Sequence, residues 1–372
     1  MDGIERSARL ELQVIATGTH LAPEFGLTFR EIESDGFRIN RRVEMLLSSD
    51  TSTGITKSMG VAMIGFADAL AELTPDMVLL LGDRYEIFAA AAAATIARIP
   101  VAHLHGGETT EGAFDEAMRH SITKMAQLHF VAADEYRRRV IQLGEDPTRV
   151  FQVGGLGIDN MLKLDLLDRP ALEAALDFRL AERNLLVTFH PATLEQGSAT
   201  AQMEELLAAL DTLENTHLIF TLPNADTQGR VLGQMVEAYV AKRPNARAYA
   251  SLGQLRYLST VAQVDAVVGN SSSGLTEVPS FRTATINIGD RQKGRLKAAS
   301  VIDCEPQRES IKAALAIAYS ADFQTTLRET CNPYGDGGAS EKVLHILENY
   351  DFSSSLKKMF HDLPDTHATG KV

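Results

Sequence analysis

Val-Asp-Ala-Val-Val-Gly-Asn-Ser-Ser-Ser-Gly-Leu-Thr-Glu, residues 264 to 277, reads as a buried strand that turns through small residues into the start of a helix. Val264, Ala266, Val267 and Val268 carry no charge after Asp265, the composition of a parallel strand covered on both faces. Gly269 to Gly274 lets the backbone turn sharply. Asn270, Ser271, Ser272 and Ser273 then stand where free backbone N–H groups, hydroxyls and the positive end of a helix dipole converge, which suits the oxygens of an anion such as phosphate. Glu277, one turn further in, is placed to accept hydrogen bonds from a sugar diol beside that anion. The same residues also make an ordinary serine-rich helix cap with an acidic first turn, and the stretch alone leaves both readings open.

The chain around this stretch has 372 residues, more than one core usually organises, so two domains are expected. Hydrophobic residues make up 45% and charged residues 23%, and no apolar run approaches the roughly 18 residues of a membrane span, so a soluble protein is expected. Met1 is followed by Asp-Gly-Ile-Glu-Arg without an apolar leader, which places the protein in the cytoplasm. Cys304 and Cys331 are too few for a disulfide framework or a structural zinc site and are expected as small buried residues. A net charge of −13 argues against nucleic acid and anionic membranes as partners. It leaves room for an anionic small ligand where positive charge is concentrated locally.

Working outward, strand and helix patterns alternate. Strands are expected at 11–17, 37–39, 77–81, 101–105, 129–132 and 150–153, with helices at 54–73, 87–96 and about 115–128. The segment 159–176 loosens and reads as the crossing into a second α/β unit, with strands at 185–189, 218–222, 266–269, 284–288 and 301–303. The expected division is a first domain over 1–160, a second over 161–339, and a closing helix with a polar tail over 340–372.

In open parallel sheets ligands bind beyond the carboxyl ends of the strands, and the unusual residues fall there. Asp83, the pair His105 and Glu108, His190, the Asn270 loop and Arg291 each follow a strand. Asp83-Arg84 reads equally as a turn aspartate with a surface arginine. His103 and His105 share a strand face and with Glu108 could hold a metal, but no third firm ligand lies nearby, so no metal is expected. Asp115-Glu116 opens a helix and can be a dipole complement or a functional pair, and His190 can be an acid, a base or structural. Arg291-Gln292-Lys293-Gly294-Arg295 is either a solvated basic turn or the positive charge that would hold a diphosphate.

Together these motifs resemble the UDP-N-acetylglucosamine 2-epimerases, in particular their hydrolysing branch, which feeds sialic acid and related nonulosonate biosynthesis for bacterial surface polysaccharides. The resemblance spans about Leu12 to Leu347 and rests on 81–86 (LGDRYE), 103–108 (HLHGGE), 115–125 (DEAMRHSITKM), 270–274 (NSSSG), 291–295 (RQKGR) and 332–337 (NPYGDG). It implies two doubly wound Rossmann-like domains facing across a cleft, the GT-B arrangement. It further implies UDP bound by the second domain, with Asn270, Ser271 and Ser272 at the diphosphate, Glu277 on the ribose and Arg291 near the nucleotide. Asp83, Asp115 and His190 match positions used around the sugar, and Asp159 matches a polar position at the crossing. Several relatives carry a catalytic glutamate where this chain has His105, so His105 or Glu108 must cover that role.

The implied reaction eliminates UDP from UDP-N-acetylglucosamine through an oxocarbenium-like state, forms a glycal, and adds water to give N-acetylmannosamine. It needs no cofactor. The motifs read UDP and the C2 acetamido region, so a 2,4-diacetamido-6-deoxy UDP-sugar fits them as well. A GT-B glycosyltransferase and an inactive UDP-sugar binder are the competing functions. The expected partners are the UDP-sugar and further copies of the chain, as a dimer or tetramer. Family members open with a strand and a Thr-Gly-Thr/Ser-Arg loop that the resemblance does not find here, so the first sheet is expected to lack a central strand and the natural protein to start upstream.

Overall fold

Apolar, β-branched runs separated by helical patterns build three all-parallel sheets among the described residues. The computed structural model describes every residue except 24–25, 48, 50, 110–114, 191–198, 223–228, 353–355 and 365–372. The polar loop before Asp115, Pro191 and the end of the expected polar tail therefore lie outside the described residues. The chain divides into two units: residues 1–154 together with 338 onward, and residues 155–337. The division falls at Gly154/Gly155 rather than after residue 160, and the closing helix Ala339–Glu348 belongs to the first unit. The segment read as a crossing is part of the second unit, with helices Leu156–Leu162 and Arg169–Leu176.

In the first unit, β1 (Val14–Thr17) pairs with β2 (Ile39–Val43), while β3 (Val78–Leu81), β4 (Val101–Leu104), β5 (Leu128–Val131) and β6 (Val150–Gln152) form a separate sheet in sequence order. No strand joins the two sheets among the described residues. β3 is thus an edge strand, and although its residues are all apolar, Leu79 and Leu81 on one face are 37% and 54% exposed. The alanine-rich helix Tyr85–Ile96 buries five of its six alanines. Their small side chains let it pack closely into the core that also holds Phe66 and Leu70 of the helix Ser52–Leu73.

The second unit holds one sheet of six strands: β7 (Arg183–Thr188), β8 (Thr216–Thr221), β9 (Ala246–Tyr249), β10 (Ala266–Gly269), β11 (Ala284–Ile288) and β12 (Val301–Cys304). Their order is β12-β11-β10-β7-β8-β9, so the direction of winding reverses between β7 and β10. The loops leaving that pair are where a doubly wound sheet takes its ligand. β7 and β10 run in register from Leu185 opposite Ala266 to Thr188 opposite Gly269. At Gly269 (φ +140°) a Cβ would lie 1.9 Å from the Thr188 carbonyl oxygen, so only glycine lets the chain leave the sheet there. Leu185, Val187, Leu206, Phe220 and Ile286 fill one core of this unit, and Leu172, Leu186, Ile219 and Val267 fill another.

Both cysteines depart from expectation: Cys331, in the segment after the helix Ala321–Glu329, is exposed, and Cys304, at the end of the edge strand β12, is only half-buried against the core. No described helix is long and apolar enough to cross a membrane.

Candidate active site

At the carboxyl ends of β3 and β4 the loops are tied together by His103. Its Nε2–H donates to the Gly82 carbonyl at 2.8 Å and its Nδ1 lies 3.1 Å from Thr123 Oγ1. Burial pushes its pKa down to about 3, so the imidazole is neutral and structural. The expected shared face with His105 is absent. β4 ends at Leu104, and His105 turns into the left-handed region (φ +63°), which for a residue with a side chain costs on the order of 1 kcal/mol. The His105 N–H donates to the Phe130 carbonyl at 2.8 Å and holds that conformation.

The turned residue meets Glu108. A carboxylate can only accept, so His105 Nδ1 carries the proton and donates to Glu108 Oε1 at 2.6 Å. His105 and Glu108, read as alternatives in the sequence, form one hydrogen-bonded pair. Arg119 organises the rest. It lies on the helix Asp115–Met125, is 4% exposed, donates to the His105 carbonyl at 2.8 Å and to Asp83 Oδ2, and stands 3.9 Å from Glu108 Oε2. One buried guanidinium thus gathers two carboxylates and the backbone of the histidine.

Asp115 lies four residues before Arg119, on the same helix face. Its pKa is raised, first by burial and then by the Asp83 carboxylate, with Arg84 opposing. Beside it Glu86 is buried, with its carboxylate 3.2 and 3.3 Å from the Arg84 guanidinium. Asp83, His105, Glu108 and Asp115 therefore come together in the first unit. Sequence reasoning passed over Arg119 and Glu86, although the four-residue spacing from Asp115 to Arg119 was the available signal.

In the second unit Asn270 stands at the reversal between β7 and β10. Its Oδ1 accepts from the His190 N–H at 2.7 Å and its Nδ2 donates to the His190 carbonyl at 2.9 Å. With 2% of its surface exposed, Asn270 is a bracket that fixes His190 rather than the nucleotide contact expected of it. Its own carbonyl accepts from Arg291 NH1 and from Gln292 Nε2, each at 2.9 Å, which draws the basic turn to the serine loop. Ser271 and Ser272 are half-buried, and Ser272, at the N-cap of the short helix Ser273–Thr276, makes no side-chain cap.

A cavity of about 410 Å³ opens beside this loop. His190 and Glu277 line it, together with Thr188, Thr221, Tyr257 and the turn Ala250–Gln254. Tyr257 and the Ala250–Gln254 segment went unread in the sequence because β9, which leads into them, is the half-exposed Ala-Arg-Ala-Tyr and lacks an apolar run. Tyr257 donates its hydroxyl to Ser273 Oγ at 2.8 Å, and burial pushes its pKa up to about 12. Asp159 is buried, and a Cβ at Gly337 would come within 3.7 Å of its carboxylate. The 332–337 motif is structural here: Asn332 Nδ2 donates to the Thr276 carbonyl and Ser280 Oγ, both at 2.7 Å, and the Tyr334 carbonyl accepts from the Gly155 N–H at 2.7 Å.

The sequence profile described as UDP-N-acetylglucosamine 2-epimerase matches residues 2–348. A Campylobacter jejuni protein named GDP/UDP-N,N'-diacetylbacillosamine 2-epimerase (hydrolyzing) is 42% identical, the match covering 97% of this chain and 94% of that protein. The Escherichia coli polysialic acid biosynthesis protein P7 is 40% identical over 97% of this chain and 93% of its own length. The crystal structure of UDP-GlcNAc 2-epimerase from Neisseria meningitidis bound to UDP-GlcNAc superposes with a TM-score of 0.80 at 16% identity, covering 93% of this chain and 94% of that one, which is a likeness of fold.

Proposed function

Because the chain belongs to the UDP-N-acetylglucosamine 2-epimerase family, we propose that it is a hydrolysing UDP-sugar 2-epimerase, releasing UDP and a manno-configured 2-acetamido sugar. The observation that carries this reading is the group of Asp83, Glu108, His105 and Arg119 with Asp115 held above the usual carboxylate range. The C2 proton of the sugar is weakly acidic, so the bond from C1 to the UDP oxygen breaks ahead of proton loss and positive charge develops at C1. Asp83 and Glu108, gathered by the buried Arg119, stabilise that charge. Asp115 removes the C2 proton, for which a raised pKa suits a carboxylate. The glycal then takes water: hydroxyl adds at C1 and a proton returns to C2 on the other face, with the His105–Glu108 dyad supplying or accepting it.

In this reading the second unit holds the nucleotide and the first works on the sugar. Ser271, Ser272 and Arg291 take the diphosphate, Glu277 the ribose hydroxyls, and the cavity beside them the base. His190 and the buried Asp159 serve the sugar side. The protein acts in the cytoplasm as a homo-oligomer, without cofactor.

For the sugar, the 42% identity to a protein named for a diacetamido substrate supports the 2,4-diacetamido-6-deoxy UDP-sugar, which we place first. UDP-N-acetylglucosamine is the second reading, supported by the 40% identity to a polysialic acid biosynthesis protein. Incubation with each sugar in D2O, followed by NMR, tests both. Free UDP and a manno sugar deuterated at C2 are expected. A protonated C2 would sink the elimination, and UDP release only with an added acceptor would point to a glycosyltransferase.

A further inference from the structure

The last described residues, 356 to 364, do not trail from the molecule. Lys358 Nζ donates to the carbonyls of Lys124 at 2.7 Å and Ala126 at 2.8 Å, lies 3.4 Å from that of Thr123, and stands 2.6 Å from Glu145 Oε2. Those carbonyls close the C-terminal end of the helix Asp115–Met125, where a helix runs out of N–H donors, although that of Thr123 also accepts from the Ala126 N–H at 3.2 Å. A cation there also complements the helix dipole. Glu145 is 1% exposed and takes Lys124 Nζ at 2.6 Å and His129 Nε2 at 2.9 Å as well, so the ammonium enters a prepared site. Two further contacts fasten the segment. The His361 N–H donates to the Gly144 carbonyl at 2.9 Å, and the Phe360 ring lies against Gly144 and 4.8 Å from Lys124 Nζ.

The opposite end of that helix carries Asp115, and one turn on, Arg119, which gathers Asp83, Glu108 and the His105 carbonyl. A helix of eleven residues is about 15 Å long and moves as one body. We infer that Lys358 is a positioning residue: the C-terminal segment clamps the far end of the Asp115 helix and so sets where Asp115 and Arg119 stand among the groups at the ends of β3 and β4. The consequence for turnover rests on the epimerase reading, and the clamp itself does not.

The test compares the full chain with Lys358→Met, which keeps the stem and removes the charge and donors, and with Lys358→Arg, which restores both. Amide hydrogen exchange over residues 115–125 should speed up by about tenfold or more in Lys358→Met, with exchange in the second unit unchanged and Lys358→Arg close to the parent. In the same variant kcat for UDP release should fall about tenfold or more, while the Kd for UDP measured by calorimetry stays where it was, as expected of misplacement at the chemistry rather than lost binding. If Lys358→Met does not fold, Phe360→Ala loosens the same segment without stranding Glu145 and should shift both readouts in the same direction. Unchanged exchange over 115–125 in the folded variant would overturn the clamp. Changed exchange with unchanged kcat would overturn the positioning role. A parent chain that releases no UDP from either sugar would sink the epimerase reading and leave the exchange comparison to decide the clamp.

Discussion

Asp115 is the residue on which the proposed chemistry turns, because it must be ionised to take a proton from carbon. Its pKa is raised by burial and then by Asp83, so turnover should fall with decreasing pH at a point above the ordinary aspartate range. In Asp83→Asn the like charge is gone, and the acidic limb of the pH profile should move down while burial keeps it from returning to the solution value. An acidic limb at the same pH in both proteins would separate Asp83 from Asp115. Asp115→Asn should lower kcat by about 100-fold or more with UDP binding retained. Arg119 makes a different prediction. Replacing it with Met strands two carboxylates against each other, so the cost should appear in stability, about 3 kcal/mol or more by urea unfolding, as well as in turnover. A variant that loses turnover but unfolds at the parent's urea concentration would mean Arg119 does not hold Asp83 and Glu108.

At the scale of elements, the reversal between β7 and β10 shows what the sequence did and did not make legible. The apolar run 264–268 and its serine turn read as strand, loop and helix start, and so they are. Asn270 was misread, because nothing local says that its amide would face the His190 backbone, 80 residues away, rather than a ligand. The apolar β3 read as a strand but stands at a sheet edge among the described residues, since exposure depends on which strands lie beside it. β9 was missed because its alternation of Ala and half-exposed polar residues carries little hydrophobic signal. The bracket and the basic turn should separate under mutation. Asn270→Ala leaves the His190 N–H and carbonyl without their partner and should cost about 1 to 3 kcal/mol of stability with a small change in UDP affinity. Arg291→Ala, at a residue exposed overall, should do the reverse, weakening UDP binding in calorimetry with a smaller change in unfolding. Equal UDP affinities in Arg291→Ala and the parent would misplace the diphosphate.

At the scale of the whole molecule, stability should fall with pH through the buried groups of the first unit. In the first unit His103 and His129 are both buried with lowered pKa values, in each case chiefly through burial. The unfolded chain binds a proton at each near pH 6.5 and the folded one does not, so stability falls as pH drops below that point, by up to about 1.4 kcal/mol per pH unit for each imidazole. Glu145 adds to this lower down. Burial opposes its charge, but His129, Lys124 and Lys358 together hold its pKa down to about 2, so its contribution is complete above the ordinary glutamate value of 4.5 and disappears as the pH falls toward 2. Hydrogen exchange at pH 7 and pH 5, corrected for intrinsic rates, should therefore show β4 and β5 losing protection. His129→Gln should flatten the dependence between those pH values, since the proton taken up on unfolding is then one fewer. Unchanged protection of β4 and β5 between those pH values would mean that the two imidazoles do not govern acid stability, and that burial in the first unit is looser than the packing of His103 and His129 implies.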